Sequence, residues 1–469
     1  MERKRRMLED IIKNHLEFEK GAQIVVRGQE NRQRRVSFLK GALIGNGRSV
    51  SRGLNARVRI GGSTGFASVG SYSEKDVMNV IQKATENAHF LDRHAPRKQR
   101  PIPSCPGSWV PLNREIHDYE QKRMIEACRQ IDSYIETHYP GLSSRRVVYT
   151  EDSQDKIIYT SDACSGHVTT PRCYIYVFLS AETADGAPVE LFEAYGGAGG
   201  FEDHFADLNW LYPKIDLLVK RLMDKKEGIF PEAGVKTVIL SGLMSGMLAH
   251  EAVGHTVEAD LVLGGSVAGP NLGKQVASDL VSMVDYGHTG PDGREGSVPL
   301  PVYLDDEGIP TGDSVLIDHG ILKGYMNSRE TAEHFGVRPT GNARAWAFGD
   351  EPLIRMRNTC ILPGTSSVDE MIQSVEDGYY LISSGNGQAD LTGEFMFGVT
   401  LGYEIRNGKI GRALRDTTVS GIAFDMLRSV DMVSSEITWS SSGFCGKKQR
   451  IPVGMGGPHL RCSITMGGR

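Results

Sequence analysis

The sequence predicts an α+β protein: a smaller α/β N-terminal part, and a large β-rich C-terminal domain carrying one candidate metal-binding helix. Three observations predict this. Glycine makes up 55 of 469 residues, against about 7% in ordinary chains, and falls between short alternating apolar runs, which means many turns between strands. Long amphipathic helical patterns are confined to the first half. Beyond residue 233 alternation dominates, interrupted by one helical stretch, SGLMSGMLAHEAVGHTVEAD.

The elements follow in order. A chain of 469 residues is too long for one ordinary core, so two or three domains are expected. The spacing predicts an N-terminal α/β domain over 1–100, a central α/β segment over 112–225 and the β-rich domain over 233–469. In the first, AQIVVRG and RRVSFLKGALI read as strands and ARVRIGGSTGFAS as a hairpin. The helix after them starts at a capping pair, Ser73 with Asp76, and shows Val77, Ile81, Ala84, Ala88 and Leu91 on one face. Residues 95–111, APRKQRPIPSCPGSWVP, form a proline-rich linker. The central segment predicts a long helix over 113–138, strands at RRVVYT, KIIYTSDA, RCYIYVFLSAET and PVELFEAYGG, and a helix over 204–224. A second boundary lies in DKKEGIFPEAGV, and GVKTVILSG is a strand leading into the His-Glu stretch. Further on, SVLIDHGILKGYM predicts two strands around His319-Gly320, and YEIRNGKIGRAL a hairpin at Asn407-Gly408. The glycine-rich run 381–399, LISSGNGQADLTGEFMFGV, reads as hairpin turns in preference to the lining of a channel.

Composition excludes several function classes. The net charge is −5 and the basic run Arg3-Lys4-Arg5-Arg6 is the only one, so no broad surface invites nucleic acid. No apolar run approaches the roughly 18 residues of a membrane span, and the N-terminus lacks the apolar core of an export signal. The seven cysteines are odd in number and none forms C-x-x-C. That pattern predicts a reducing compartment, with the cytoplasm as the expected location.

The chemistry sits at residues 250–255, His-Glu-Ala-Val-Gly-His. The zinc-protease motif H-E-x-x-H has its histidines four apart; His250 and His255 are five apart. On a straight α-helix five residues separate two side chains by roughly 140°, against about 40° for four. Convergence therefore needs either a π-type turn or an unwound backbone at Gly254, the residue least costly to place in unusual geometry, and the expectation is that Gly254 is the device that brings the rings together. If the rings converge, their neutral imidazoles suit Zn²⁺, whose catalytic sites keep three protein ligands and one open position. Glu251 then has the place of the glutamate that takes a proton from water and passes it to a leaving amine. The apolar flanks (Leu243, Met244, Met247, Leu248, Ala249, Ala252 and Val253) predict a segment running through the core. Spacing leaves the third ligand open among Glu258, Asp260, Cys445, His459 and Cys462.

Several stretches together resemble the TldD/PmbA family: HEAVGHTVEAD at 250–260, DDEGIPTGDSVLIDHGILKGYMNSRETA at 305–332, RPTGNARAW at 338–346, RMRNTCILPG at 355–364 and FCGKKQRIPVGMGGPHLRCSITMGG at 444–468. The resemblance covers nearly all of the C-terminal domain. It implies a zinc metalloprotease with His250, His255 and Cys445 as metal ligands and Glu251 as catalytic residue, since the family's third ligand is a cysteine in a C-G-[KD]-type loop. It further implies short or unfolded peptide substrates. It also implies a dimer around an enclosed cavity, either of like chains or with a paralogue that lacks the zinc motif. The competing expectation is a non-catalytic peptide-binding or modulator subunit of such a complex.

Overall fold

The computed structural model describes residues 7, 10–15, 19–94, 104–109 and 116–468. The basic run at 3–6 and most of the proline-rich linker lie outside the described residues.

The N-terminal half is built on one sheet of unusually long strands. These are β1 (Gln23–Leu39), β2 (Ala42–Ile60), β3 (Ser63–Val69), β4 (Gly107–Trp109), β5 (Ser144–Thr160), β6 (Cys164–Glu182) and β7 (Pro188–Ala198). The order is β3-β2-β1-β5-β6, with β4 and β7 both pairing β6. Strands β1 and β5 pair antiparallel from Val25↔Thr160 to Leu39↔Arg146, so the sheet crosses both segments that flank the linker. The linker's described part supplies β4, parallel to the start of β6.

Helix α1 (Glu74–His94) begins where Ser73 and Asp76 exchange hydrogen bonds, 3.0 Å from the Ser73 N–H to Asp76 Oδ2 and 3.2 Å from the Asp76 N–H to Ser73 Oγ. Val77, Ile81, Ala84 and Ala88 are buried as expected. Leu91 is not: its turn lies over the β2–β3 connection, where Gly61 meets Asp92, and it stays 42% exposed. The helix lies close on β3; a Cβ at Gly65 would fall 2.0 Å from the Ala84 carbonyl oxygen.

Two expected helices differ in extent. Helix α2 (Gln121–His138) starts well after residue 113, because Glu120 is extended and Arg34 holds the Tyr119 carbonyl at 2.6 Å. The helix expected over 204–224 is two pieces, Phe201–Phe205 and α3 (Tyr212–Lys226). Pro213 opens the second piece, where its missing N–H costs nothing, and Trp210 Nε1–H caps the first through the His204 carbonyl at 3.0 Å.

In the C-terminal domain, five strands close into a ring. Strand β8 (Gly234–Leu240) pairs Asp377–Ala389 and Leu460–Met466, and Glu394–Arg406 and Thr417–Ile422 complete the circuit. A second, six-stranded sheet includes Met283–Tyr286, Ser314–Asp318, Asn358–Ile361 and Gly454–Gly457. The His-Glu segment runs between ring and sheet. Leu248, Ala249, Ala252 and Val253 are buried in one core with Leu381, Phe397 and Leu460. The expected turns form: His319 and Gly320 (φ 45° and 77°) and Asn407 and Gly408 (φ 51° and 71°) both lie in the left-handed region that a two-residue hairpin demands. Residues 381–399 belong to the hairpin Asp377–Ala389/Glu394–Arg406, with register shifts near Ser383. Three short helices were not expected: Arg329–Phe335, Val368–Gln373 and Ala423–Arg428.

Candidate metal centre

Strand β8 ends at Leu240, and the hydroxyl of the next residue, Ser241, accepts the Met244 N–H and starts a helix over Gly242–Leu248. The helix then widens. Residues Ala249–Gly254 form a π turn, and the His255 N–H reaches the His250 carbonyl five residues back. A wider turn puts i and i+5 on one face, so the ring centroids of His250 and His255 lie 5.2 Å apart with their planes at 81°. The expected unwinding at Gly254 does not occur; the wider π winding brings the rings together instead. Gly254 keeps an ordinary right-handed backbone, φ −53° and ψ −48°. Its glycine is needed for room instead: a Cβ there would sit 2.1 Å from Met356 Sδ.

Cys445 arrives from the short strand Phe444–Cys445, paired with Ile451–Pro452. The fully buried Arg355 clamps this segment. It donates to the carbonyls of Cys445 (2.7 Å), Gln449 (2.6 Å) and Lys447 (3.1 Å). Cys445 Sγ is 3.2 Å from His255 Nε2. One ligand atom each from His250, His255 and Cys445 all lie within 4.8 Å of one another.

The surroundings set the charges. Burial pushes the Cys445 thiol up, but the two imidazoles beside it outweigh that and bring it down to about 3. Burial lowers His255, while Glu258 and the sulfur raise it, to about 10. Glu258 Oε2 holds His255 Nδ1 at 2.9 Å, which aims Nε2 at the sulfur. Lys447 neutralises this carboxylate from 3.1 Å and also pairs with Asp260 at 2.7 Å.

A metal ion fits this donor set on the structure's own evidence. Both ring nitrogens of His250 are buried and without a hydrogen-bond partner among the described residues, a costly state for polar atoms unless something else binds them. Two imidazoles and a thiolate are zinc-type donors, and bonds of about 2.0–2.3 Å suit donor atoms this close. Glu251 faces the same point. Its carboxylate lies 4.0 Å from His250 Nε2 and 3.8 Å from His255 Nε2, and its side chain is 23% exposed.

The other candidate ligands are engaged elsewhere. Glu258 and Asp260 serve the Lys447 network. His459 Nε2 meets the Tyr380 hydroxyl at 2.9 Å, and Cys462 packs in the domain core. Sequence reasoning missed Arg355, Lys447 and Met356. The alternation Arg355-Met356-Arg357 inside an apolar stretch was the available signal, since charges at such positions are buried only with partners.

Comparison with known proteins shows the family. The family model for the PmbA/TldA metallopeptidase C-terminal domain matches residues 233–468, and that for PmbA/TldA metallopeptidase domain 1 matches 24–88. A zinc metalloprotease TldD homolog of Saccharolobus solfataricus is 29% identical over 89% of this chain and 90% of its own length. A metalloprotease of Methanocaldococcus jannaschii is 31% identical over 88% of this chain and 90% of its own. Among solved structures, TldE from Thermococcus kodakarensis shares the fold with a TM-score of 0.75, at 16% identity, covering 98% of this chain and all of its own at 100%. Architecture, donor cluster and relatives converge: this chain belongs to the PmbA/TldD family of metallopeptidases.

Proposed function

We propose that the chain is a zinc-dependent peptidase acting on short or unfolded peptides, with His250, His255 and Cys445 holding the metal and Glu251 moving the proton. One observation carries this reading. Donor atoms from the π turn and from a strand 190 residues later lie within 4.8 Å of one another, beside an accessible glutamate. The name of the Saccharolobus relative supports zinc as the metal.

Zinc, when bound, supplies a Lewis acid for the scissile carbonyl and for the attacking water. The protein's own residues do the rest. Glu258 fixes the orientation of His255, and Arg355 fixes the Cys445 segment. The Glu251 carboxylate accepts the proton of the attacking water and returns it to the departing nitrogen. An extended peptide is held best by main-chain hydrogen bonds along a strand edge, which read little sequence, so cleavage would be broad. A dimer, of like chains or with a paralogue lacking the motif, would exclude folded proteins by enclosing the centre.

The test is an unfolded peptide incubated with the zinc-loaded protein and with its Glu251→Gln variant, followed by mass spectrometry. New termini with the parent protein and none with the variant, at equal metal content, support the reading. Intact peptide that co-elutes with both proteins would instead mean a binding subunit without turnover.

A further inference from the structure

A second cavity, about 580 Å³, opens on the other side of the strand that carries Cys445. Phe444 lines it. Successive side chains on a strand point to opposite faces, so Phe444 faces this groove while Cys445 faces the histidines. Its other walls come from β1, β2, β5 and β6.

The lining is strongly basic. Arg34, Arg35, Arg48, Arg146, Arg172 and Arg450 stand against two carboxylates, Glu151 and Asp152. Three of the arginines are already paired. Arg34 and Arg48 share Asp118, and Arg172 Nε binds Asp152 at 2.8 Å. Arg35, Arg146 and Arg450 make no close ion pair among the described residues, although Asp152 lies near enough to act on Arg450. Two buried donors are left over as well: among the described residues Arg146 Nε and Arg172 Nη2 have no hydrogen-bond partner, and Arg172 is only 3% exposed. Such donors are expensive to leave unmatched, and planar guanidinium groups match a carboxylate in pairs of hydrogen bonds.

The guanidinium groups are also held in place. Arg450 and Arg172 lie over the Phe444 ring at 3.6 and 4.3 Å, and Arg146 over Phe178 at 4.7 Å. The Tyr174 and Tyr176 hydroxyls donate to the carbonyls of Ser441 and Ser442 at 2.8 and 2.9 Å. The groove floor is thereby tied to the segment that delivers Cys445.

We propose that this groove is a carboxylate-binding subsite for the acidic portion of a peptide. The proposal rests on the peptidase reading for its ligand, but not for its chemistry. A nucleic-acid strand would also find arginine and aromatic rings here. Yet the whole chain carries −5, a field that repels a long polyanion, and the groove is a single pocket rather than a track.

Two fluorescent peptides of one core sequence, tailed with Glu-Glu-Asp or with Gln-Gln-Asn, decide it. Binding is read by anisotropy, and cleavage by the ratio of the two kcat/KM values, both on the zinc-loaded full chain. The acidic tail is expected to bind at least about tenfold more tightly, and less so as salt is raised. The Arg146→Gln/Arg450→Gln variant should bring both ratios towards one. Arg450→Gln alone, at an exposed position, should lower them in part, so a poorly folded double variant leaves the test intact. Equal binding of the two tails, or a preference untouched in either variant, overturns the proposal. So does a single-stranded oligonucleotide that binds more tightly than the acidic peptide. Arginine-dependent binding without cleavage would retain the subsite and reject the peptidase; efficient cleavage of both peptides alike would do the reverse.

Discussion

Two buried polar clusters of the C-terminal domain differ in one respect. In the first, Asp285 and Arg357 are both fully buried and fully satisfied. Arg357 gives Asp285 its backbone N–H (2.8 Å) and Nε–H (2.8 Å), and its remaining donors go to Thr340, Ser314 and the Asp285 carbonyl. Asn342 and Thr359 fill the other lone pairs of the carboxylate. In the second, His250 is as deeply buried and has both nitrogens unmatched, beside a thiolate and an aimed imidazole. A saturated cluster holds structure; an unsaturated one at equal depth calls for a partner, which the proposed metal would supply.

The largest expected effect separates chemistry from binding at the second cluster. Glu251→Gln should lower peptide turnover by at least about 10²-fold, the usual contribution of a positioned proton carrier, with metal content unchanged by elemental analysis. Undiminished turnover would remove Glu251 from the mechanism. Next, Arg357→Met breaks the saturated cluster. It leaves the Asp285 carboxylate buried and unpaired, and should cost about 3–5 kcal/mol in denaturant unfolding. A cost near zero would mean that cluster is not structural. By contrast, Cys445→Ser should act mainly on metal retention, with a sharp fall in bound zinc and a lower Tm only relative to the metal-loaded parent.

Two glycines sharpen the contrast with smaller effects. Gly254→Ala forces a Cβ against Met356 under the π turn and should cost about 1–3 kcal/mol, with weaker metal binding because the turn aims both rings. Gly408→Ala strains a left-handed position far from either cluster (φ 71°). It should cost about 1–2 kcal/mol with no change in zinc content. Equal zinc loss in both variants would show that metal binding merely follows global stability.

Local signals in the sequence fared better than long-range ones. The hairpins at His319-Gly320 and Asn407-Gly408 and the cap at Ser73 are written in a few adjacent residues, and each formed. The π turn was legible as a need, because a spacing of five does not fit a straight helix. The remedy expected, an unwound backbone at Gly254, was the wrong one: Gly254 keeps helical angles, and its missing side chain leaves room for Met356, a contact that local sequence does not record. The helix start at Gln121 is set by Arg34 holding Tyr119, a contact between residues 85 apart. Val368–Gln373 was readable in hindsight: Ser367 and Glu370 form the capping box that marks a helix start. Lys447 and Arg355 escaped notice because their partners lie far along the chain, Glu258 and Asp260 for Lys447 and the carbonyls of Cys445, Lys447 and Gln449 for Arg355, and local periodicity carries no record of them.

The claim at the centre is that a π turn and a distant cysteine make one metal site. X-ray absorption spectroscopy on the purified, zinc-loaded chain tests it most directly. The account predicts one zinc per chain with a single sulfur at about 2.3 Å and two nitrogens at about 2.0–2.1 Å, the sulfur being lost in Cys445→Ser. A stoichiometric zinc with no sulfur ligand, or a purified protein that takes up no zinc, would contradict it.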